Sequence, residues 1–137
     1  MYKLTKKIDF CYGHRLLEYE GKCAHAHGHN GALEIEVGSE TLDRLGMVVD
    51  FGEIEAKIAK FVNSELDHKM LLRRDDPLVE ALKEVGELPF LMEDNPTAEN
   101  IAKLILEAAR REGLPVIAVR LWETRDSMAE YRIEGKG

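Results

Sequence analysis

Apolar and polar positions alternate with a period of two in four stretches of the chain, and they repeat at helical spacing in two others. From Tyr2 to His14, the residues Tyr2, Leu4, Ile8, Phe10, Tyr12 and His14 share one parity, and Lys3, Thr5, Lys7 and Asp9 hold the other. This is the pattern of a strand with one covered face, ending in an inward histidine. Alternation returns after His27, with Gly31, Leu33, Ile35 and Val37 opposite Glu34 and Glu36. It returns again with Ile117, Val119 and Leu121, and finally with Ala129, Tyr131 and Ile133.

The helical stretches lie between these two pairs of strands. Asp50 is a capping residue for a helix with Phe51, Ile54, Ile58, Phe61 and Val62 on one stripe. Thr97, after Pro96, caps a second helix whose buried stripe is Ile101, Leu104, Ile105 and Ala108. Arg110 and Arg111 suit its C-terminal dipole, and Gly113 and Pro115 stop it. The remainder is less patterned: "GMVVDF" as a short strand or turn, the first helix running out near "LDHKMLL", Asp76 to Val85 as a candidate short helix, and "GELPFLMEDNP" as loop. The order strand, strand, helix, helix, strand, strand predicts an α+β fold in a single domain, residues 1–137. Its expected form is a four-stranded, mostly antiparallel sheet with two helices on one face. The other face carries mixed residues, Trp122 among them. A sheet covered on one side, with exposed edges, suggests self-assembly.

The chemistry concentrates in "CAHAHGHN", Cys23 to Asn30, which holds three of the five histidines. Residues two apart on a strand share a face, so His27 and His29 reach one metal together. His25 has the same parity, but on an extended strand it lies roughly 13 Å from His29. It is read as a solvated loop histidine. If the first two strands pair as a hairpin, His14 meets His27 and His29. Three imidazoles with an open fourth position form a catalytic zinc arrangement. Cys23 as a fourth ligand would instead close the site and make it structural, and three structural histidines without metal are the plain alternative. Asp67 and His68 are either a polar helix end or a carboxylate and imidazole placed to move protons. Glu123 continues an apolar face, either as a salt-bridged carboxylate or as a clamp accepting two parallel N–H bonds. Cys11 has the parity opposite to His14 and is read as structural, and Arg15 and Lys22 flank the site.

Composition narrows the function classes. The chain has 137 residues, and its net charge of -7 argues against nucleic-acid or membrane-surface partners. No apolar run approaches a membrane span, and the N-terminus lacks a secretory h-region, so the expected location is cytoplasmic. Two cysteines, one of them beside the histidine cluster, point to chemistry rather than to a disulfide frame.

Six segments in order resemble the 6-pyruvoyl-tetrahydropterin synthase superfamily, and within it most closely the 6-carboxy-tetrahydropterin synthases of queuosine biosynthesis. They are "GHRL" around His14, C-x-x-x-H-G-H from Cys23 to His29, "GMVVDF", "LDH" at Leu66 to His68, "PTAEN" at Pro96 to Asn100, and "ET" at Glu123 and Thr124. One position departs from the pattern: where relatives often carry Asn four residues after "LDH", this chain has Leu72.

The resemblance implies the tunnelling fold, with trimeric barrels stacked into a homohexamer and sites between subunits. It implies Zn2+ on His14, His27 and His29, and Cys23 as acid or base supported by Asp67 and His68. Glu123 would hold the pterin edge, with Thr124 and Thr97 nearby. The implied reaction converts 7,8-dihydroneopterin triphosphate to 6-carboxy-5,6,7,8-tetrahydropterin, acetaldehyde and triphosphate. Triphosphate elimination alone, giving the 6-pyruvoyl product, uses the same residue types. A structural zinc interaction module and a pterin binder without turnover are the readings of other classes.

Overall fold

The structure is a computed structural model and describes residues 1–133. Its centre is a hairpin of two thirteen-residue strands, β1 (Tyr2–His14) and β2 (His27–Ser39). They pair antiparallel without interruption from Tyr2 opposite Ser39 to His14 opposite His27. The expected parity of β1 holds at the site end, where Phe10, Tyr12 and His14 are buried. It loosens at the other end, where Tyr2 is half exposed.

The sheet has six strands, not four. Besides β1 and β2 these are β3 (Lys69–Arg73), β4 (Phe90–Met92), β5 (Val116–Thr124) and β6 (Ser127–Arg132), in the order β4-β3-β1-β2-β5-β6. β5 and β6 extend the hairpin antiparallel, whereas β3 and β4 add parallel strands beside β1. The two added strands fall in the stretches expected to be helix end and loop. Leu71 and Leu72 are both fully buried, so β3 shows no alternation. Parallel strands covered on both faces read as continuous apolar runs. β4 has only three residues, too few for any period.

Among the described residues three α-helices accompany the sheet: α1 (Phe51–Phe61), α2 (Leu78–Glu84) and α3 (Ala98–Arg111). Two of them carry the core, as expected. Ile54 and Ile58 of α1, and Ile101, Ile105 and Leu106 of α3, pack with Phe10, Leu33, Ile35, Val119 and Leu121. α3 lies across β5 and β6, and α1 lies over β1. The short α2 buries Val79 outside that cluster. Gly46 to Asp50 forms bends and irregular backbone rather than a strand. The Asp50 carboxylate accepts the Gly52 N–H at 2.7 Å, and Thr97 Oγ1 accepts the Asn100 N–H at 3.1 Å, so both expected caps form.

One register correction falls on β5. A β-bulge opposite Glu36 and Val37 sets Val116 against Val37 and Ala118 against Glu36. Val116 therefore joins the core in place of Ile117, whose Cδ1 lies where a Cβ on Gly38 would come to 3.0 Å. On the face away from α1 and α3, charge covers the sheet. The Arg120 guanidinium sits among Glu34, Glu36 and Glu130 at 3.0–3.3 Å, and Arg132 bonds Glu36 at 2.9 Å. Trp122 Nε1 donates to Glu34 at 2.6 Å. Glu36 is buried, and its carboxyl is held below the ordinary range by Arg132 and Arg120, which outweigh the upward push of burial.

Two measurements test this packing. Thr97→Ala removes the cap that starts α3 and lowers unfolding free energy by about 1 kcal/mol in urea titrations. The second concerns Asp76, buried and bonded to Arg15 through Nε at 2.8 Å, which lowers its pKa. A depressed folded-state pKa adds stability above the unfolded value of about 4, and this is lost as pH falls through the lowered value. Urea titrations at neutral pH therefore separate Asp76→Asn from the native chain, and the gap closes in acid.

Candidate metal centre

The register of β1 and β2 builds the site. His14 stands directly opposite His27, and Tyr12 stands opposite His29, so three imidazoles meet on the buried parity at one end of the hairpin. Their ring centroids lie 4.5–5.1 Å apart, and one ligating nitrogen from each falls within 4.8 Å of the others. His14 Nε2 and His29 Nε2 are 3.2 Å apart. Two imidazole nitrogens bound tetrahedrally to one zinc at about 2.0–2.1 Å stand roughly 3.3 Å apart. The donor set and its spacing fit the ion.

Backbone carbonyls set the tautomers. Pro96 O accepts from His14 Nδ1 at 2.6 Å, and His25 O accepts from His27 Nδ1 at 2.7 Å. A carbonyl only accepts, so each Nδ1 carries the proton and each Nε2 offers a lone pair. Burial pushes the His14 pKa down, outweighing the hydrogen bond to Pro96 and the nearby Glu123, and so favours the neutral imidazole that a metal needs. His25 itself is exposed and contributes only its carbonyl to the group.

The support comes from distant parts of the sequence. Pro96 immediately precedes the cap of α3. Asn95 bonds both backbone groups of Leu17 at 2.9 Å, fastening the segment before α3 to the loop that leaves His14. Asn100 Nδ2 donates to Asn95 O at 2.9 Å and completes the clasp. The resemblance implies a site near Thr97 but not the roles of Asn95 and the two carbonyls. The Asn-Pro pair is a turn signal, yet nothing local in the sequence shows which residue its carbonyl meets.

Glu123 Oε2 lies 3.3 Å from His29 Nε2 in the same chain, which is why a carboxylate continues the apolar parity of β5. Glu123 also shares a cavity of about 240 Å³ with Ala98 and Glu99 at the start of α3. Thr97 is spent as the cap of that helix, and Thr124 is exposed at the end of β5, its Oγ1 accepting the Asp126 N–H at 3.2 Å. Tyr12 packs its ring edge-on to His14, and its buried hydroxyl has no hydrogen-bond partner among the described residues. Burial pushes its pKa up, with Glu123 adding to the effect. Gly31 is glycine because a Cβ there would stand 3.0 Å from the Tyr12 ring and 3.2 Å from Leu121.

The remaining candidates fall into different places. Cys23 lies half-buried on a single 3-10 turn, Lys22–Ala24, where its carbonyl accepts the Leu16 N–H at 2.8 Å. Among the described residues it joins no cluster of ligating atoms, so a closed three-histidine, one-cysteine site is not formed. Both cysteines are free thiols. Asp67 and His68 gather instead with Cys11. A π-helical turn, Val62–Leu66, ends α1 and delivers them beside β1. His68 takes a left-handed conformation, φ 62°, that turns the chain into β3. The Asp67 carboxylate is held below its ordinary pKa, first by the Cys11 N–H at 2.9 Å and then by His68. Leu72, where relatives often carry Asn, is fully buried on β3.

Comparison with known proteins bears on this geometry. A match to the family described as 6-pyruvoyl tetrahydropterin synthase covers residues 3–134. The chain belongs to this family. It is 36% identical over 141 residues to a 6-carboxy-5,6,7,8-tetrahydropterin synthase of Rickettsia typhi, covering 95% of this chain and 99% of that protein. The crystal structure of an uncharacterized protein from Wolinella succinogenes is similar with a TM-score of 0.80 and 28% identity, covering 97% of this chain and 98% of that one. The 6-pyruvoyl tetrahydropterin synthase of Caenorhabditis elegans has the same fold, with a TM-score of 0.72 at 21% identity over 97% and 96% of the two chains. The six-stranded mixed sheet with its helices is thus a tunnelling-type α+β fold. No helix among the described residues is long and apolar enough to cross a membrane.

Replacing any one of His14, His27 or His29 by Ala leaves two of the three ligands. Elemental analysis after dialysis is expected to find zinc retained by the native chain and lost from each variant. A chelator that strips the native protein lowers its Tm, because an ion that binds only the folded state stabilises it.

Proposed function

We propose that this chain is a zinc-dependent 6-carboxy-5,6,7,8-tetrahydropterin synthase, a carbon–carbon lyase of queuosine biosynthesis. The observation that carries the reading is the 36% identity to the Rickettsia typhi enzyme of that name across almost the full length of both chains. The three converging imidazoles support it independently. The substrate is 7,8-dihydroneopterin triphosphate, and the products are 6-carboxy-5,6,7,8-tetrahydropterin, acetaldehyde and triphosphate.

His14, His27 and His29 would hold the ion, with Pro96 O and His25 O fixing the rings of His14 and His27. A zinc ion held there would supply Lewis-acid polarisation of the substrate's side-chain hydroxyls. Cys23 takes and returns a side-chain proton. Asp67 stays ionised and keeps the His68 ring oriented through the 2.8 Å contact at Nδ1, so that His68 exchanges protons on the other side. Glu123 accepts two parallel N–H bonds from the pterin's 2-amino-pyrimidinone edge, with Thr124 and Thr97 framing the same end.

Within one chain Cys23 and the Asp67–His68 pair form no common cluster. Completion of the site between subunits accounts for that separation, and a hexamer of two stacked trimers supplies the neighbour. The short edge strands β4 and β6 are the surfaces through which such rings would close.

Mass spectrometry of products from zinc-loaded protein and 7,8-dihydroneopterin triphosphate tests the reaction. The expected products are the 6-carboxy pterin and acetaldehyde. A 6-pyruvoyl product would instead assign the chain the activity in the family's description, and unconsumed substrate with well-folded, metal-loaded protein would sink the enzyme reading. Cys23→Ala is expected to cut turnover by roughly a hundredfold or more with zinc content unchanged. Full turnover in that variant would remove Cys23 from the mechanism.

A further inference from the structure

On the parity of β1 that faces away from the three histidines lies a second group of donor atoms. Cys11 Sγ, a carboxylate oxygen of Asp67 and a ring nitrogen of His68 fall within 4.8 Å of one another, the same closeness as in the histidine cluster. Backbone hydrogen bonds tie Cys11 to Asp67 and to His68, and a side-chain contact joins the last two. The Cys11 N–H donates to Asp67 Oδ1 at 2.9 Å, the His68 N–H donates to Cys11 O at 2.7 Å, and Asp67 Oδ2 meets His68 Nδ1 at 2.8 Å. A cation bound among them would take the place of the proton between Asp67 and His68.

Their chemistry selects the ligand. A thiolate and a carboxylate bring two negative charges, and the neutral imidazole brings none, so a divalent cation is balanced by the site. Sulfur and imidazole donors favour zinc-type ions over magnesium or calcium, which prefer all-oxygen shells. Access is open: the His68 side chain is exposed, and Cys11 and His68 line a cavity of about 560 Å³ whose wall also includes His27, Lys69 and Met70. Three protein ligands leave a fourth position for water.

We propose that Cys11, Asp67 and His68 form a second site for a soft divalent cation, separate from the three-histidine centre. Binding follows from the donor geometry alone. A consequence rests on the reading of Asp67 and His68 as the proton-moving pair: an ion held there occupies both groups, so zinc beyond the first equivalent inhibits turnover.

Cobalt(II) added to the metal-free full-length protein tests the site, because thiolate bound to cobalt gives a near-ultraviolet charge-transfer band and three imidazoles do not. The native chain is expected to take up a second equivalent of cobalt and show the band. Cys11→Ser should abolish both, and Cys23→Ser should keep both. His68→Gln offers a second variant that leaves both thiols in place, and it should weaken the second equivalent by about tenfold or more. A single equivalent without the band in the native chain overturns the proposal, as does a band that survives Cys11→Ser or vanishes with Cys23→Ser. Circular dichroism confirms that each variant is folded. A second cobalt equivalent with its band, but no inhibition by excess zinc, would uphold the site and overturn only the inhibitory consequence.

Discussion

The register between β1 and β2 is the constraint on which the site depends. Thirteen consecutive pairs run from Tyr2–Ser39 to His14–His27, and the last of them sets two imidazoles side by side, their centroids 4.5 Å apart. A slip of one residue would turn His27 and His29 to the opposite face of the sheet and bury Gly28 and Asn30 in their place. The apolar residues of β2 prevent that slip. Leu33, Ile35 and Val37 are fully buried, and moving them to the charged face would expose three large side chains. The folding core thus fixes the arrangement of the three imidazoles, and the histidines need no separate positioning device along the strands.

What the strands do not supply, backbone carbonyls do. Pro96 O and His25 O each take an Nδ1 proton and leave a lone pair facing the centre. The first carbonyl comes from the residue before the cap of α3, and Asn95 ties that segment to the Leu17 backbone. Loop, helix start and strand end therefore converge on the His14 ring, although they are some eighty residues apart in the chain. This is the usual role of outer contacts around a metal ligand, carried here by main-chain atoms whose identity side-chain chemistry does not reveal.

That distinction explains how much could be read in advance. The triad was legible because parity and strand ends are carried by the residues themselves: His14, His27 and His29 fall on the covered face by simple counting. The caps at Asp50 and Thr97 were legible for the same reason. β3 was not, because Leu71 and Leu72 are both buried and erase the alternation. Ile117 was misplaced because a bulge changes the count without leaving a local mark. The partnership of Cys11 with Asp67 and His68 spans fifty-six residues and depends on a π-helical turn and a left-handed residue. Neither feature has a clear signature in the residue types that adopt it here.

The charged face of the sheet bears on how such a subunit comes into being. Lys3, Arg120 and Arg132 pair with Glu34, Glu36 and Glu130 within a single chain, so this surface offers water a balanced set of ion pairs rather than an apolar patch. A newly synthesised monomer with such a surface has little there to feed indiscriminate aggregation while it diffuses in search of partners. Because charged groups become less costly to dehydrate on heating, the same ion pairs gain weight relative to apolar contacts at high temperature. The face that takes little part in the core thus contributes a growing share of what holds the fold together as temperature rises.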